Sequence, residues 1–163
     1  YIAGTPYVGA TEDMYAGPGH YRGEFAAWDL TKRKKVWAIH EKFPVWTGTV
    51  VTGGNIAVYG TMDRWFKVVD ARNGKLLYQF HAPSGFVGQP ITYQGKDGNQ
   101  YIAMLSGVGG WAGAIANAAL DPRVRNGALG YTGAVGDLPS VTSGGSTLLV
   151  FSLPKQGNAN APH

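Results

Sequence analysis

Two tryptophans carry the most specific chemistry in this sequence. Trp46 follows Pro44-Val45 at the head of an apolar stretch, and Trp111 follows Gly109-Gly110 in a glycine-rich one. A large flat indole beside residues without bulk leaves room for a second planar group against its face. If the strand after Trp46 is the innermost of its sheet, that ring faces a central channel, and Trp111 can reach the same mouth. Two rings there would sandwich a planar ligand. Ordinary core packing of both is the other reading, and it stays open at this point.

The ionisable residues form no complete catalytic set. His20, His40, His81 and His163 show no His-Glu-x-x-His spacing, and the ten carboxylates contain no Asp-rich calcium loop. Glu12-Asp13 are adjacent, as exposed loop residues usually are. Without cysteine there is no disulfide, thiolate zinc site or Cys nucleophile. Leu105-Ser106-Gly107 lacks the glycine two positions before Ser that a nucleophile elbow needs. Gly107-Val108-Gly109-Gly110-Trp111-Ala112 does match G-x-G-x-x-A after a strand. The acidic residue about 20 positions on is absent, however, with Gly127 in its place, and bulky Trp111 occupies the turn. A dinucleotide site is not expected.

The elements that must position these residues show a repeat. Residues 27–37, from Ala27-Trp28-Asp29 to Trp37, align with 68–78, from Val68-Val69-Asp70 to Tyr78, at an offset of 41. Each copy reads as strand, tight turn, strand. Asn73-Gly74 suits a turn that needs positive φ, whereas Arg33 takes the glycine position in the first copy, so that turn must differ or be strained. Asp29 and Asp70 stand just before their turns, where a carboxylate accepts hydrogen bonds from turn amides. Trp37 and Tyr78 end their copies, placed to wedge between neighbouring sheets.

Further strands are expected at 46–52, 55–59, 65–70, 75–80, 90–93, 100–106 and 146–153, separated by glycine turns. The fold class is all-β, and a period near 40 with about four strands per unit specifies propeller blades. Residues 107–145 break the pattern; a short helix is expected over 112–120 and a helical turn near 137–141. Residues 1–153 thus read as a partial propeller of about two blades plus a closing strand, an incomplete ring, with 154–163 a disordered tail. A propeller needs four or more blades, so open sheet edges are expected.

Composition agrees. Hydrophobic residues make up 44% and charged ones only 15%, which excludes a disordered chain. The net charge is +4 and the only dense basic run is Lys32-Arg33-Lys34-Lys35, the pattern of a solvated hairpin tip rather than a nucleic-acid surface. No apolar run reaches the ~18 residues of a membrane span, and no signal peptide is visible at the start. A chain that opens at Tyr1 reads as a piece of something longer.

The repeat resembles the eleven-residue tryptophan-docking motif, A-x-D-x-x-T-G-K-x-x-W, of the pyrroloquinoline-quinone (PQQ) alcohol dehydrogenases. The first copy keeps Ala27, Asp29, Lys34 and Trp37, and the second keeps Asp70, Gly74 and Lys75. Phe43-Pro44-Val45-Trp46-Thr47-Gly48, Tyr59-Gly60-Thr61-Met62-Asp63, Pro83-Ser84-Gly85, Gln89-Pro90-Ile91-Thr92-Tyr93 and Gly107-Val108-Gly109-Gly110-Trp111 extend the likeness to the C-terminal part of the methanol dehydrogenase large subunit. The resemblance implies the C-terminal blades of an eight-bladed β-propeller. It implies a periplasmic quinoprotein oxidoreductase that takes methanol or other primary alcohols to aldehydes with PQQ and a calcium or lanthanide ion. Electrons would pass to a c-type cytochrome. Leu105-Ser106-Gly107-Val108 and Ala112-Gly113 bring the chain nearer to the lanthanide-using branch.

By the same resemblance Trp46, Gly110 and Trp111 contact PQQ, and Leu129 lines the small substrate cavity. No catalytic and no metal-binding residue is carried over. The family's catalytic Asp, its metal-binding Glu and Asn, the Arg beside the quinone and an adjacent-Cys disulfide all match positions upstream of this span. The implied reaction, proton abstraction by that Asp with hydride transfer to the quinone, would therefore need the missing N-terminal blades, and the isolated chain is expected to be inactive. A homodimer of the full-length protein is compatible with the family. A non-catalytic propeller scaffold of the outer-membrane assembly type is the alternative, and half of a split enzyme a third reading. Trp46 and Trp111 at one channel mouth would favour the dehydrogenase; both buried between blades would favour the scaffold.

Overall fold

The computed structural model describes residues 9–121 and 123–152. The expected tail at 154–163 lies outside the described residues. Among the described residues nine strands form three antiparallel sheets, which matches the expected propeller architecture.

Sheet 1 is a hairpin of β1 (Gly23–Asp29) and β2 (Lys34–Glu41). Sheet 2 is a meander of β3 (Val50–Val51), β4 (Ile56–Gly60), β5 (Trp65–Asp70) and β6 (Leu76–His81). The two repeat copies fold alike. Asp29 Oδ1 accepts from the Lys32 amide at 2.9 Å, and Asp70 Oδ1 accepts from the Arg72 amide at 2.9 Å, so both aspartates cap their turns as expected. Arg33 adopts φ +52° where Gly74 has φ +75°, so the strain of the left-handed region falls on the arginine. Both hairpins also slip register at equivalent places. Ala27 faces Trp37 and Trp28 faces Lys35, leaving Val36 unopposed; Val68 faces Tyr78 and Val69 faces Leu76, leaving Leu77 unopposed. Each is a one-residue bulge in the outer strand, which bends and twists it. The basic run sits at the tip of the first hairpin, where Lys35 pairs with Glu24 at 2.5 Å and Lys32 with Asp29 at 3.4 Å.

The strand expected at 46–52 shortens to Val50–Val51. Side chains replace the ladder before it: the Gly60 amide donates to Thr47 Oγ1 at 3.1 Å, and Thr49 Oγ1 donates to the Val58 carbonyl at 2.9 Å. This backbone stays near β4 without regular pairing, which frees the chain to turn Trp46 away.

Sheet 3 consists of β7 (Ile91–Gln94), β8 (Gln100–Ser106) and β9 (Thr147–Ser152), with β8 central. Both neighbours of β8 run antiparallel to it, and the glycine run that follows makes an isolated parallel bridge at Gly107 with Phe86. Between β8 and β9 lies an insert with α1 (Gly110–Asn117), α2 (Tyr131–Val135) and a 3₁₀ turn, Leu138–Ser140. The first helix begins two residues before the expected start and ends three before the expected end. The second was not anticipated.

Three apolar clusters hold the layers together. Ala57, Tyr59 and Val69 of sheet 2 meet Phe25, Trp37 and Ile39 of sheet 1. Val58, Phe66, Phe86, Ile102 and Met104 join sheet 2 to sheet 3, with Leu149 and Phe151 packed alongside. Phe43, Met62 and Val108 receive Ala112, Ile115, Val135 and Leu138 of the insert. A fully buried Phe contributes roughly 1.5–3 kcal/mol by area. Trp37 wedges between sheets as expected, its indole N–H donating to the Ala71 carbonyl at 3.0 Å and its ring lying over Gly74. Tyr78 is half exposed, and among the described aromatic rings it meets the edge of Phe151, at 6.3 Å. The far face of sheet 3 leaves Ile91, Leu105, Leu148 and Val150 exposed, an uncovered apolar surface that fits an incomplete ring. Among the described residues no helix is long and apolar enough to cross a membrane.

Candidate functional site

The site forms where the insert leaves and rejoins sheet 3. A lattice of small hydroxyls fixes that junction. Ser106 Oγ donates to the Ser84 carbonyl at 2.8 Å and accepts from the Ser84 amide at 3.1 Å. Ser84 Oγ donates to the Ser143 carbonyl at 2.5 Å, and the Gly85 amide donates to Thr142 Oγ1 at 2.9 Å. The Gly107 amide then donates to the Gly85 carbonyl at 2.8 Å. All these groups are satisfied and Ser84 and Ser106 are fully buried, so the end of β8 and the end of the insert are held rigidly.

From that anchor Val108 and Gly109 lead into α1, which starts with Gly110 at φ +57°. Trp111 is its second residue and is 48% exposed. Trp46, half-buried, packs on the insert core. The two indoles line one open cavity of about 380 Å³, with Val87, Leu105, Gly107 and Gly110 also in its walls. The structure therefore brings together Trp46, Gly110 and Trp111. Leu129 is not in this lining; it lies in the loop before α2, at φ +58° between Ala128 at φ +51° and Gly130 at φ +82°.

Sequence reasoning missed Tyr131. Its ring centroid lies 5.2 Å from that of Trp46 and 6.0 Å from that of Trp111, nearly perpendicular to the latter. The signal was present, since Gly130-Tyr131 places an aromatic after glycine in the same insert as Gly110-Trp111.

Among the described residues no ionisable side chain lines this cavity. Its walls can stack a flat ring and exclude water from its faces, and its glycines present backbone at close range, but the described residues supply it no acid, base or nucleophile. Among the described residues no three His, Asp or Glu stand close enough together to hold a metal ion.

The charged groups elsewhere tie the layers together. Buried Glu41 accepts from Tyr59 Oη and from Lys67 Nζ, each at 2.6 Å. Burial and the adjacent Glu41 carboxylate raise the Tyr59 phenol well above its usual range. Arg22 grips Asp137 with two hydrogen bonds of 2.6 and 2.9 Å, donates to the Lys42 carbonyl at 3.0 Å, and lies 4.5 Å over the Phe43 ring. Burial raises the Asp137 carboxyl, but the Arg22 hydrogen bonds and charge outweigh that and hold it below its ordinary value.

Known proteins place this geometry in context. The family model of the glucose/ethanol/alcohol dehydrogenase β-propeller domain, the PQQ model, matches residues 18–102, about half of the chain. The lanthanide-dependent methanol dehydrogenase of Methylacidiphilum fumariolicum is 50% identical over 159 residues, 94% of this chain and 26% of the relative. Subunit 1 of the methanol dehydrogenase [cytochrome c] of Methylobacterium organophilum is 38% identical over 169 residues, all of this chain and again 26% of the relative. A solved europium-containing methanol dehydrogenase superposes with a TM-score of 0.82 at 49% identity, covering 94% of this chain and 27% of that one. The chain thus spans about a quarter of the length of the relatives it matches.

Proposed function

The chain belongs to the PQQ β-propeller family of alcohol dehydrogenases, and from that premise we propose that it forms a wall of the cofactor chamber in a longer quinoprotein that oxidises methanol or another small primary alcohol. The observation that carries this reading is the convergence of Trp46 and Trp111 on one cavity. A scaffold gains nothing from two indoles facing an open slot, whereas a flat cofactor gains stacking on both.

The described residues fit the ring of PQQ and fit neither its carboxylates nor its metal. PQQ is a planar fused ring that carries three carboxylates; the slot offers apolar walls and glycine backbone to the ring, and the cations for the carboxylates would come from outside the described residues. The described residues hold no carboxylate set for calcium or a lanthanide, so that ion would be bound by residues outside this chain. Bound PQQ would supply the two-electron acceptor for the alcohol. Trp46 and Trp111 would orient the ring and keep water from its faces, Gly110 would let the backbone approach it, and Leu129 would shape the substrate side. The base that takes the alcohol proton would come from outside the chain, and the chain alone would not turn over. A lanthanide is the metal we favour, from the higher identity to the lanthanide-dependent relatives. A periplasmic location and a c-type cytochrome as electron acceptor complete the proposal.

The test uses the intact polypeptide that contains this sequence, purified without cofactor and supplied with PQQ and either calcium or a lanthanide. Dye-linked methanol oxidation that depends on PQQ is expected, with Trp46→Ala weakening PQQ binding by about thirtyfold, the order expected for truncating an aromatic hot spot. No PQQ binding by the intact polypeptide, or unchanged binding in Trp46→Ala, would overturn it.

A further inference from the structure

We propose that a second cavity, where sheet 1 meets the helical insert, binds a small oxyanion, a phosphate or a dicarboxylate, held by Lys42 and Arg125. The cavity has a volume of about 440 Å³, within the range of about 300–1,000 Å³ usual for small-ligand sites. Lys42 directly follows β2, and Arg125 belongs to the insert. Tyr15, His20, Arg22 and Asp137 also line it. It shares no lining residue with the cavity of Trp46 and Trp111, so the inference does not depend on how that cavity is read.

The charges here do not balance. Three cations, Arg22, Lys42 and Arg125, share these walls with one carboxylate, Asp137. Arg22 takes both oxygens of that carboxylate, at 2.6 and 2.9 Å, and its other hydrogen bonds go to the carbonyls of Lys42 and Gly133. Arg125 meets Asp13, which is not in the lining, at 3.2 Å. Lys42 makes no ion pair and no side-chain hydrogen bond among the described residues. Its ammonium stands 5.2 Å from the centroid of Phe43, and the Arg22 guanidinium 4.5 Å from the centroid of that same ring. Two like charges are thus gathered on one buried ring, and the one carboxylate beside them is engaged by Arg22. A cleft with an excess of one sign concentrates ions of the other.

Donors remain to receive such an ion. An ammonium carries three N–H groups and a guanidinium five, so Lys42 has all of its own to offer and Arg125 most. Arg125 is steadied by Tyr15, whose ring centroid lies 6.0 Å from the guanidinium carbon. His20 adds a ring N–H in either protonation state. It sits in a tight turn fixed by the Gly17 amide donating to the Tyr21 carbonyl at 2.8 Å and the His20 amide donating to the Gly17 carbonyl at 3.0 Å. An anion with two or more oxygens would accept charge-assisted hydrogen bonds from Lys42 and Arg125 together. It would then tie the insert to sheet 1 beside the Arg22–Asp137 pair. Chloride, a single point of charge, would not make that bridge.

The test titrates inorganic phosphate, and separately succinate, into the intact polypeptide that contains this sequence, by calorimetry with sodium chloride at matched ionic strength as the reference. Saturable one-site binding of at least one of them is expected, with a Kd of about 1 mM or below, the tighter of the two naming the ligand class. Hydrogen exchange over 123–137 should slow when it binds. Lys42→Met and Arg125→Met should each weaken binding about tenfold, the scale of one lost charged hydrogen bond. Lys32→Met, at the distant hairpin tip, should leave it unchanged. No saturable binding of either anion, or native affinity in both Lys42→Met and Arg125→Met, would overturn the proposal. So would an equal loss in Lys32→Met, because the attraction would then be one of net charge. Should Lys42→Met fail to fold, Lys42→Gln takes its place with the same expected tenfold loss.

Discussion

The two joints between sheets are built from the same repeat and hold by different means. Sheet 1 meets sheet 2 through a polar anchor within an apolar seam: Trp37 donates to Ala71 across the joint, Phe25 stacks on Tyr59 at 4.1 Å, and Glu41, Tyr59 and Lys67 share hydrogen bonds in the interior. The strands of sheet 2 meet those of sheet 3 through apolar side chains. Phe66 stacks on Phe151 at 4.1 Å, and Phe80 approaches Phe151 edge-on at 5.6 Å. Tyr78, in the place of Trp37, is left half exposed. The docking aromatic thus contributes only where the neighbouring sheet offers it a seat. Gly74 provides that seat, since a Cβ there would stand 2.8 Å from the Trp37 ring. On the other side Phe151 fills the space that such a turn would occupy.

The largest effect is expected at the aromatic joint. Phe66→Ala should cost about 3–5 kcal/mol, the range for emptying a buried Phe site. Hydrogen exchange should rise in β8 and β9 and stay low in β1; equal loss in all three sheets would mean the joints are not separable. At the polar joint, Lys67→Met leaves the buried Glu41 carboxylate without its cation. A cost of about 3 kcal/mol follows, read as faster exchange in β2 and β5 with sheet 3 unaffected. A loss below ~1 kcal/mol would show that the anchor is dispensable.

The hairpin turns give a smaller contrast of opposite sign. Gly74→Ala forces a side chain into positive φ and into the Trp37 ring and should destabilise by about 2 kcal/mol, whereas Arg33→Gly relieves φ strain and should stabilise by about 1 kcal/mol. Thermal melting of each variant measures both, and the same sign for the two would contradict the strain argument.

The smallest effect is an acid one, and it separates the insert from both joints. Asp137 is held below its ordinary value, so the stability it lends is complete above about pH 4, its unfolded range, and fades as pH falls through the lowered value. Hydrogen exchange over 131–140 should therefore rise in acid while β4 and β5 remain protected, and Asp137→Asn should abolish that pH dependence. The side-chain and backbone hydrogen bonds from Arg72 hold Asp70 at about 2, so the turn under Trp37 keeps its charge at pH 3.

What was legible in the sequence was what local chemistry decides. The Asp29 and Asp70 caps, the Asn73-Gly74 turn and the bounds of β5 and β8 depend on residues within a few positions of one another. What escaped depends on distant ones. The shortening of β3 comes from Thr47 and Thr49 reaching Gly60 and Val58. The second helix has only five residues, including a glycine and two β-branched side chains, and propensity gives it no standing. It exists because Met14 and Arg22, more than a hundred positions away, receive Gly133 and Asp137. The site divides in the same way: Trp46, Gly110 and Trp111 stood out beside small residues and by resemblance, whereas Tyr131 gains its place only through that long-range packing.

The unopposed residues Val36 and Leu77 bear on how such a chain can change over generations. Each adds the one residue that bends its outer strand, and in the second hairpin that bend carries Gly74 beneath the indole of the preceding unit. A deletion at Leu77 would straighten the strand and swing the turn away from its neighbour, so the damage would fall on a different repeat from the one that was cut. Length changes should therefore accumulate where a connection leaves the stack, as the long excursion between β8 and β9 does, while the hairpins are inherited at constant length.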